Sequence, residues 1–178
     1  MPQAGAPHDA VIASLFIQAI REGQSLWFRV ASSSMRPLMR VNDHIFIQPA
    51  QANEISIGEV AAFETSSGLV IHRIVHRQHT GETVDLLQMS DVELHPDWVE
   101  QLTVVGKVTR VKSQNRQVDL LHPIAKWCGT VTARIRYQFY LYNNNVPLRT
   151  VLRICSRLAV RLGYWCIRCC CSSTVTGE

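Results

Sequence analysis

Two side chains in this sequence are of the kinds that together hydrolyse peptide bonds: Ser34 in Ser32-Ser33-Ser34-Met35-Arg36-Pro37 and His72 in Leu69-Val70-Ile71-His72-Arg73-Ile74-Val75. A serine hydroxyl is a poor nucleophile until a base takes its proton, and a neutral imidazole is a common acceptor. Pro37 fixes its own φ and restricts Arg36, so the turn is expected to hold Ser34 in one orientation. Ser32, two positions earlier, can join the Ser34 backbone N–H in donating to a developing oxyanion. Burial on a strand would depress the pKa of His72 and keep it neutral, the form a base requires. Two carboxylates follow, Asp91 in Met89-Ser90-Asp91 and Asp97 in His95-Pro96-Asp97-Trp98, and either could orient the imidazole. Taken singly, three serines are a polar loop, a strand histidine is a core residue, and each carboxylate is a surface charge.

The elements that must position these groups can be read from periodicity. Asp9 can cap a helix whose apolar residues Val11, Ile12, Leu15, Phe16, Ala19 and Ile20 share one face, and Gly23 stops it. From Leu26 to Val111 the pattern becomes short apolar or alternating runs: 27–30, 44–47, 59–63, 69–75, 84–88 and 102–111. Asn42-Asp43, Gly58, Ser66-Ser67-Gly68 and Thr80-Gly81 punctuate most of them. This predicts a mainly β, α+β fold: a small, partly barrel-like antiparallel β domain with a short N-terminal helix. Three segments follow, 1–22 as the amphipathic helix, 23–122 as the β domain and 123–178 as a basic, cysteine-rich helical extension, with His122-Pro123 at the boundary.

Charge separates the last segment from the rest. Residues 1–122 carry ten Lys or Arg against thirteen Asp or Glu, and residues 123–178 carry eight against one, so the overall +4 hides a strongly basic C-terminal third. There, Leu148, Val151, Leu152, Cys155, Leu158, Ala159, Leu162, Trp165 and Cys166 make a helical stripe opposite Arg149, Arg153, Arg157 and Arg161. Such a helix suits an anionic membrane surface, with Trp165 and the arginines at the interface. The arginines exclude a conventional span. All six cysteines also lie beyond residue 122, so the β domain needs no bridges and reduced thiols are expected. Cys166-Ile167-Arg168-Cys169 lacks the βαβ surroundings of a redox motif, and His72 with His76 lacks the helix and Glu of a zinc motif, so no metal or other cofactor is expected.

The ordered blocks Gly23, Phe28-Arg29-Val30, Ser34-Met35-Arg36-Pro37-Leu38, Val41-Asn42-Asp43, Ile57-Gly58-Glu59-Val60-Ala61-Ala62-Phe63, His72-Arg73-Ile74-Val75, Ser90-Asp91 and Val105-Gly106-Lys107-Val108 resemble the signal peptidase I and LexA-type serine peptidase superfamily across about residues 23–111. A histidine at the base position is similar to the archaeal and endoplasmic-reticulum signal-peptidase branch. The resemblance implies a β peptidase fold in which substrate adds as an extended strand beside the nucleophile. It implies Ser34 as nucleophile, His72 as general base, Asp97 ahead of Asp91 as the orienting acid, and Ser32 as an oxyanion donor. Asn42, Glu59 and Ser90 stand where the family carries Gly, Asp and Gly.

The expected function is a serine endopeptidase that processes a protein or peptide precursor, and the resemblance implies cleavage after a small residue. The chain has no basic residue before Arg21, so no cleavable signal peptide is expected; nor is an N-terminal anchor of the family's kind, and the expected location is peripheral to a membrane or cytoplasmic. Two alternatives are a LexA-like protein cleaving itself at Ala4-Gly5 and an inactive peptide-binding or membrane-adaptor module. No helix-turn-helix precedes the β region, so no nucleic-acid partner is expected.

Overall fold

Helix α1 (Pro7–Arg21) forms where the apolar positions recur at helical spacing, and it buries Ile17 and Ile20. Asp9 falls within its first turn rather than at its cap. Its far end closes through Gly23, at φ +93°, whose N–H bonds to the Ile20 carbonyl at 3.0 Å. The computed structural model describes residues 7–66, 68–99, 103–114, 116–142, 158, 160–170 and 172–174. The Ala4-Gly5 bond and Arg149, Arg153 and Arg157 lie outside them.

The strands are β1 (Leu26–Arg29), β2 (His44–Pro49), β3 (Val60–Thr65), β4 (Gly68–Thr80), β5 (Thr83–Met89), β6 (Pro96–Val99), β7 (Val104–Ser113), β8 (Arg116–Asp119) and β9 (Ser172–Thr174). All pair antiparallel in one sheet of order β1-β2-β7-β3-β4-β5-β6, and β8 continues from β7 to β9. The sheet does not close on itself, so β1 and β6 are edges among the described residues. β7 serves two neighbours on one side, giving Val104–Lys107 to β3 and Arg110–Ser113 to β8.

Alternation sorts the apolar side chains to the two faces. Ala61, Phe63, Ile74, Val84 and Leu86 pack with Ala52 and Ile55 on one face. Ile45, Ile47, Ala62, Val108 and Val111 pack on the other with Ile17 and Ile20 of α1 and with Met35, Leu38 and Met39 of the serine turn. Three buried apolar residues directly after Ser34 thus anchor the turn from below.

Helix α2 (Pro123–Leu141) starts at the expected boundary, with Pro123 in its first turn and the His122 ring accepting the Ile124 N–H. It lies against β4 and sends Ala125 and Cys128 into the same core as α1, so the helical extension packs on the sheet. Its approach is set by two glycines: a Cβ on Gly129 would come within 2.6 Å of the Gly58 carbonyl, and one on Gly58, at φ +95°, would overlap the Thr130 backbone nitrogen. A third helix, α3 (residues 160–170), packs on α2 through Gly163 and buries Val160 and Ile167. Leu158, Leu162 and Trp165 of the expected stripe face outward, as does Arg161. No helix among the described residues is long and apolar enough to cross a membrane.

Candidate active site

The serine turn leaves the sheet at the end of β1. Val30 still pairs with Asp43 and Asn42 through its backbone, and the chain then runs outward through exposed Ser32 to half-buried Ser34. Asn42 takes φ +73°, so it fills the left-handed position that glycine would otherwise supply. The Arg36-Pro37 peptide is cis. The Ser32 and Ser34 hydroxyls are 3.1 Å apart, which brings the expected nucleophile and oxyanion donor together.

Ser34 is tied down from the opposite side by the segment after β5. The buried Ser90 hydroxyl donates to the Ser34 carbonyl at 2.6 Å, and the Val92 N–H donates to the same oxygen at 3.1 Å. Ser90 Oγ also accepts the N–H groups of Val92 and Glu93, so one side chain closes its own turn and clamps the serine loop. A glycine there, as in the resembled family, could do neither.

His72 sits on β4, half-buried, across from Ala61 of β3. Arg73 pairs with Met89, so the antiparallel register carries His72 to the level of Ser90 at the end of β5. The imidazole and the serine turn therefore meet the same short stretch, residues 88–92, one through a side chain and the other through its carbonyl. His72 Nδ1 is hydrogen-bonded to Gln88 Oε1. An amide oxygen only accepts, so Nδ1 carries the proton and the lone pair of the neutral ring is on Nε2. Burial lowers the His72 pKa, opposed by the Gln88 bond and by the charges of Asp91 and Glu93. Burial thus favours the neutral ring, and in that form the Gln88 bond calls for the tautomer with its lone pair on Nε2. Among the described residues no hydrogen bond joins it to Ser34.

Neither expected carboxylate contacts the imidazole. Asp91 is buried in a two-pronged pair with Arg73, Nε to Oδ1 at 2.9 Å and Nη2 to Oδ2 at 2.7 Å. Adjacent strand residues point to opposite faces, so Arg73 draws Asp91 to the α2 side, away from His72. Burial disfavours the Arg73 charge, yet Asp91 more than offsets this and raises its pKa. Asp97 is exposed on β6 and pairs through its backbone with Gln88. It shares the face of His72 with Gln88 between them, and it is Gln88 that holds the ring.

Two residues of this arrangement escape a motif search. Gln88 reads as a break in an apolar strand, and only the alternation that places it with Ile74 and His72 gives it away. Arg136, on α2, reads as one of many basic residues in the C-terminal third. It is buried, and its guanidinium donates to the carbonyls of Ser90, Asp91 and Glu93. Burial lowers its pKa, Asp91 opposes this, and the neighbouring Arg73 lowers it further. It fastens the loop that in turn holds Ser34. His76 stacks on Tyr137 at 4.4 Å and meets the Trp98 edge, a packing role. No known protein-family model and no curated protein sequence matches the chain.

Proposed function

We propose that this protein is a serine endopeptidase that cleaves an extended segment of a protein or peptide precursor, with Ser34 as nucleophile and His72 as general base. The observation that carries the reading is the His72–Gln88 bond, which leaves Nε2 of a neutral imidazole as the proton acceptor beside the stretch that holds Ser34. β1 supports it as well: it is an edge strand leading directly into the serine turn, so its outer backbone groups can pair with a substrate strand.

In this mechanism the substrate aligns along β1 and turns the Ser34 hydroxyl from Ser32 toward His72. Nε2 takes the proton as Oγ attacks the carbonyl carbon. The Ser32 hydroxyl and the Ser34 N–H donate to the resulting oxyanion. The imidazolium, bonded to the Gln88 amide oxygen and favoured at longer range by the charges of Asp91 and Glu93, then protonates the leaving amine. Water repeats the sequence in reverse to free the enzyme. We further propose a location peripheral to an anionic membrane, supported by outward-facing Leu158, Leu162, Trp165 and Arg161.

A library of proteome-derived peptides incubated with the purified protein and read by mass spectrometry tests the assignment. Wild-type protein is expected to give a consistent set of cuts that disappears in both Ser34→Ala and His72→Ala while circular dichroism and melting temperature are kept. Absence of cutting by the wild type, or equal cutting by either variant, contradicts it.

A further inference from the structure

A cavity of about 160 Å³ lies behind the serine turn, among the turn's exit, the β7–β8 hairpin and α3. That is far more than the roughly 10–15 Å³ a single water needs. Three arginines from distant parts of the chain line it: Arg40 just after the turn, Arg116 at the start of β8 and Arg168 in α3. Ser113 and Tyr164 also line it, and no Asp or Glu is in the wall among the described residues. Asp43 is the acidic neighbour of Arg40, and its carboxylate takes the Arg40 backbone N–H at 2.8 Å. Arg168 lies over the Tyr164 ring with its charge 6.0 Å from the ring centre, which orients one guanidinium at this wall.

Arginines bordering one concavity make it electropositive, and an anion seated there is attracted to it. A single carboxylate satisfies one guanidinium fork. A tetrahedral phosphoryl group offers several oxygens in different directions and carries close to two charges, which suits a cavity bordered by more than one arginine. The space is large enough for one such group.

We propose that this cavity binds a phosphate monoester dianion or its inorganic equivalent. The phosphoryl group can come from solution or from the headgroup of a monoester phospholipid, and the site lies apart from His72 and Gln88. Isothermal titration of inorganic phosphate into the full chain is expected to show saturable one-to-one binding. A combined Arg40→Ala and Arg116→Ala variant is expected to weaken it by about ten-fold or more without changing the melting temperature in phosphate-free buffer. Both arginines are exposed, so neither supports the core. Arg116→Lys, which keeps charge and loses the fork, is expected to fall between the two.

Co-sedimentation with phosphatidylcholine vesicles, with and without phosphatidic acid, separates the sources. Binding that needs phosphatidic acid, is displaced by free phosphate and fails in the double variant assigns the lipid headgroup. Phosphate binding with no gain from phosphatidic acid assigns the soluble anion. Ser34→Ala is expected to bind phosphate as the wild type does. Absence of both saturable phosphate binding and phosphatidic-acid-dependent sedimentation, or binding unchanged in the double variant, overturns the proposal.

Discussion

His72 and Arg73 are consecutive residues of one strand, and they sit in opposite kinds of surroundings. Arg73 is buried beneath α2, where its guanidinium meets both oxygens of Asp91 and the Gly58 carbonyl, while Arg136 holds the loop carbonyls from the helix side. His72 is half-buried on the other face, with one neutral partner. The first region is saturated with charged hydrogen bonds and fixes the loop. The second leaves a ring nitrogen without a hydrogen bond among the described residues, as the proposed catalysis requires. A one-residue step along β4 thus separates the part that holds the site from the part that would act, because successive side chains of a strand face opposite ways.

Substitutions on the two faces should therefore fail differently. The largest effect is expected for Asp91→Ala, which strands Arg73 and sets its charge against Arg136: a loss of about 3–5 kcal/mol in urea unfolding. A loss below about 1 kcal/mol would remove the scaffold role. His72→Ala should do the converse, keeping stability near wild type while cutting peptide hydrolysis by about 10²- to 10⁴-fold. A matching collapse of stability would place His72 with the structural residues.

Gln88 sharpens the contrast further. Because the folded pKa of His72 lies below its ordinary 6.5, hydrolysis should climb with pH through a midpoint under that value and be level at neutral pH. Holding the ring neutral also means that the unfolded chain binds more protons, so the His72 contribution to stability is present above 6.5 and lost as pH falls through the folded value. Gln88→Glu places a carboxylate against Nδ1 and should raise the midpoint in both a kinetic profile and a histidine NMR titration; an unmoved midpoint would dismiss Gln88 as the orienting residue. The smallest effect is expected for Asp97→Ala, within about 0.5 kcal/mol of wild-type stability and with hydrolysis close to wild type. A loss like that of His72→Ala would restore Asp97 to the site.

The six β runs read from alternation and turn residues all exist as strands, because their signals are local: apolar periodicity, Gly58, Gly23 and Asn42 at left-handed positions. β6 was not legible, since Pro96-Asp97-Trp98-Val99 begins with a proline and exposes its middle two residues, which is how a short protected edge looks. Arg136 was hidden for a different reason, although the helix that carries it begins at the expected boundary. An arginine is ordinarily a surface residue, and only the carbonyls of a loop more than forty residues away justify its burial. The partners of Asp91 and His72 were exchanged in the same way: spacing along the chain gives proximity, but the side of the strand on which Arg73 lies decides which carboxylate is taken.

The most direct test is the reactivity of a thiol at position 34. In Ser34→Cys, site-resolved alkylation followed by mass spectrometry across pH reports the pKa of the introduced group without any knowledge of substrate. If the imidazole is in proton-sharing reach, that pKa falls below the ordinary value of about 8.5, and adding His72→Ala returns it. An ordinary pH profile that His72→Ala leaves unchanged would contradict the pairing of Ser34 with His72.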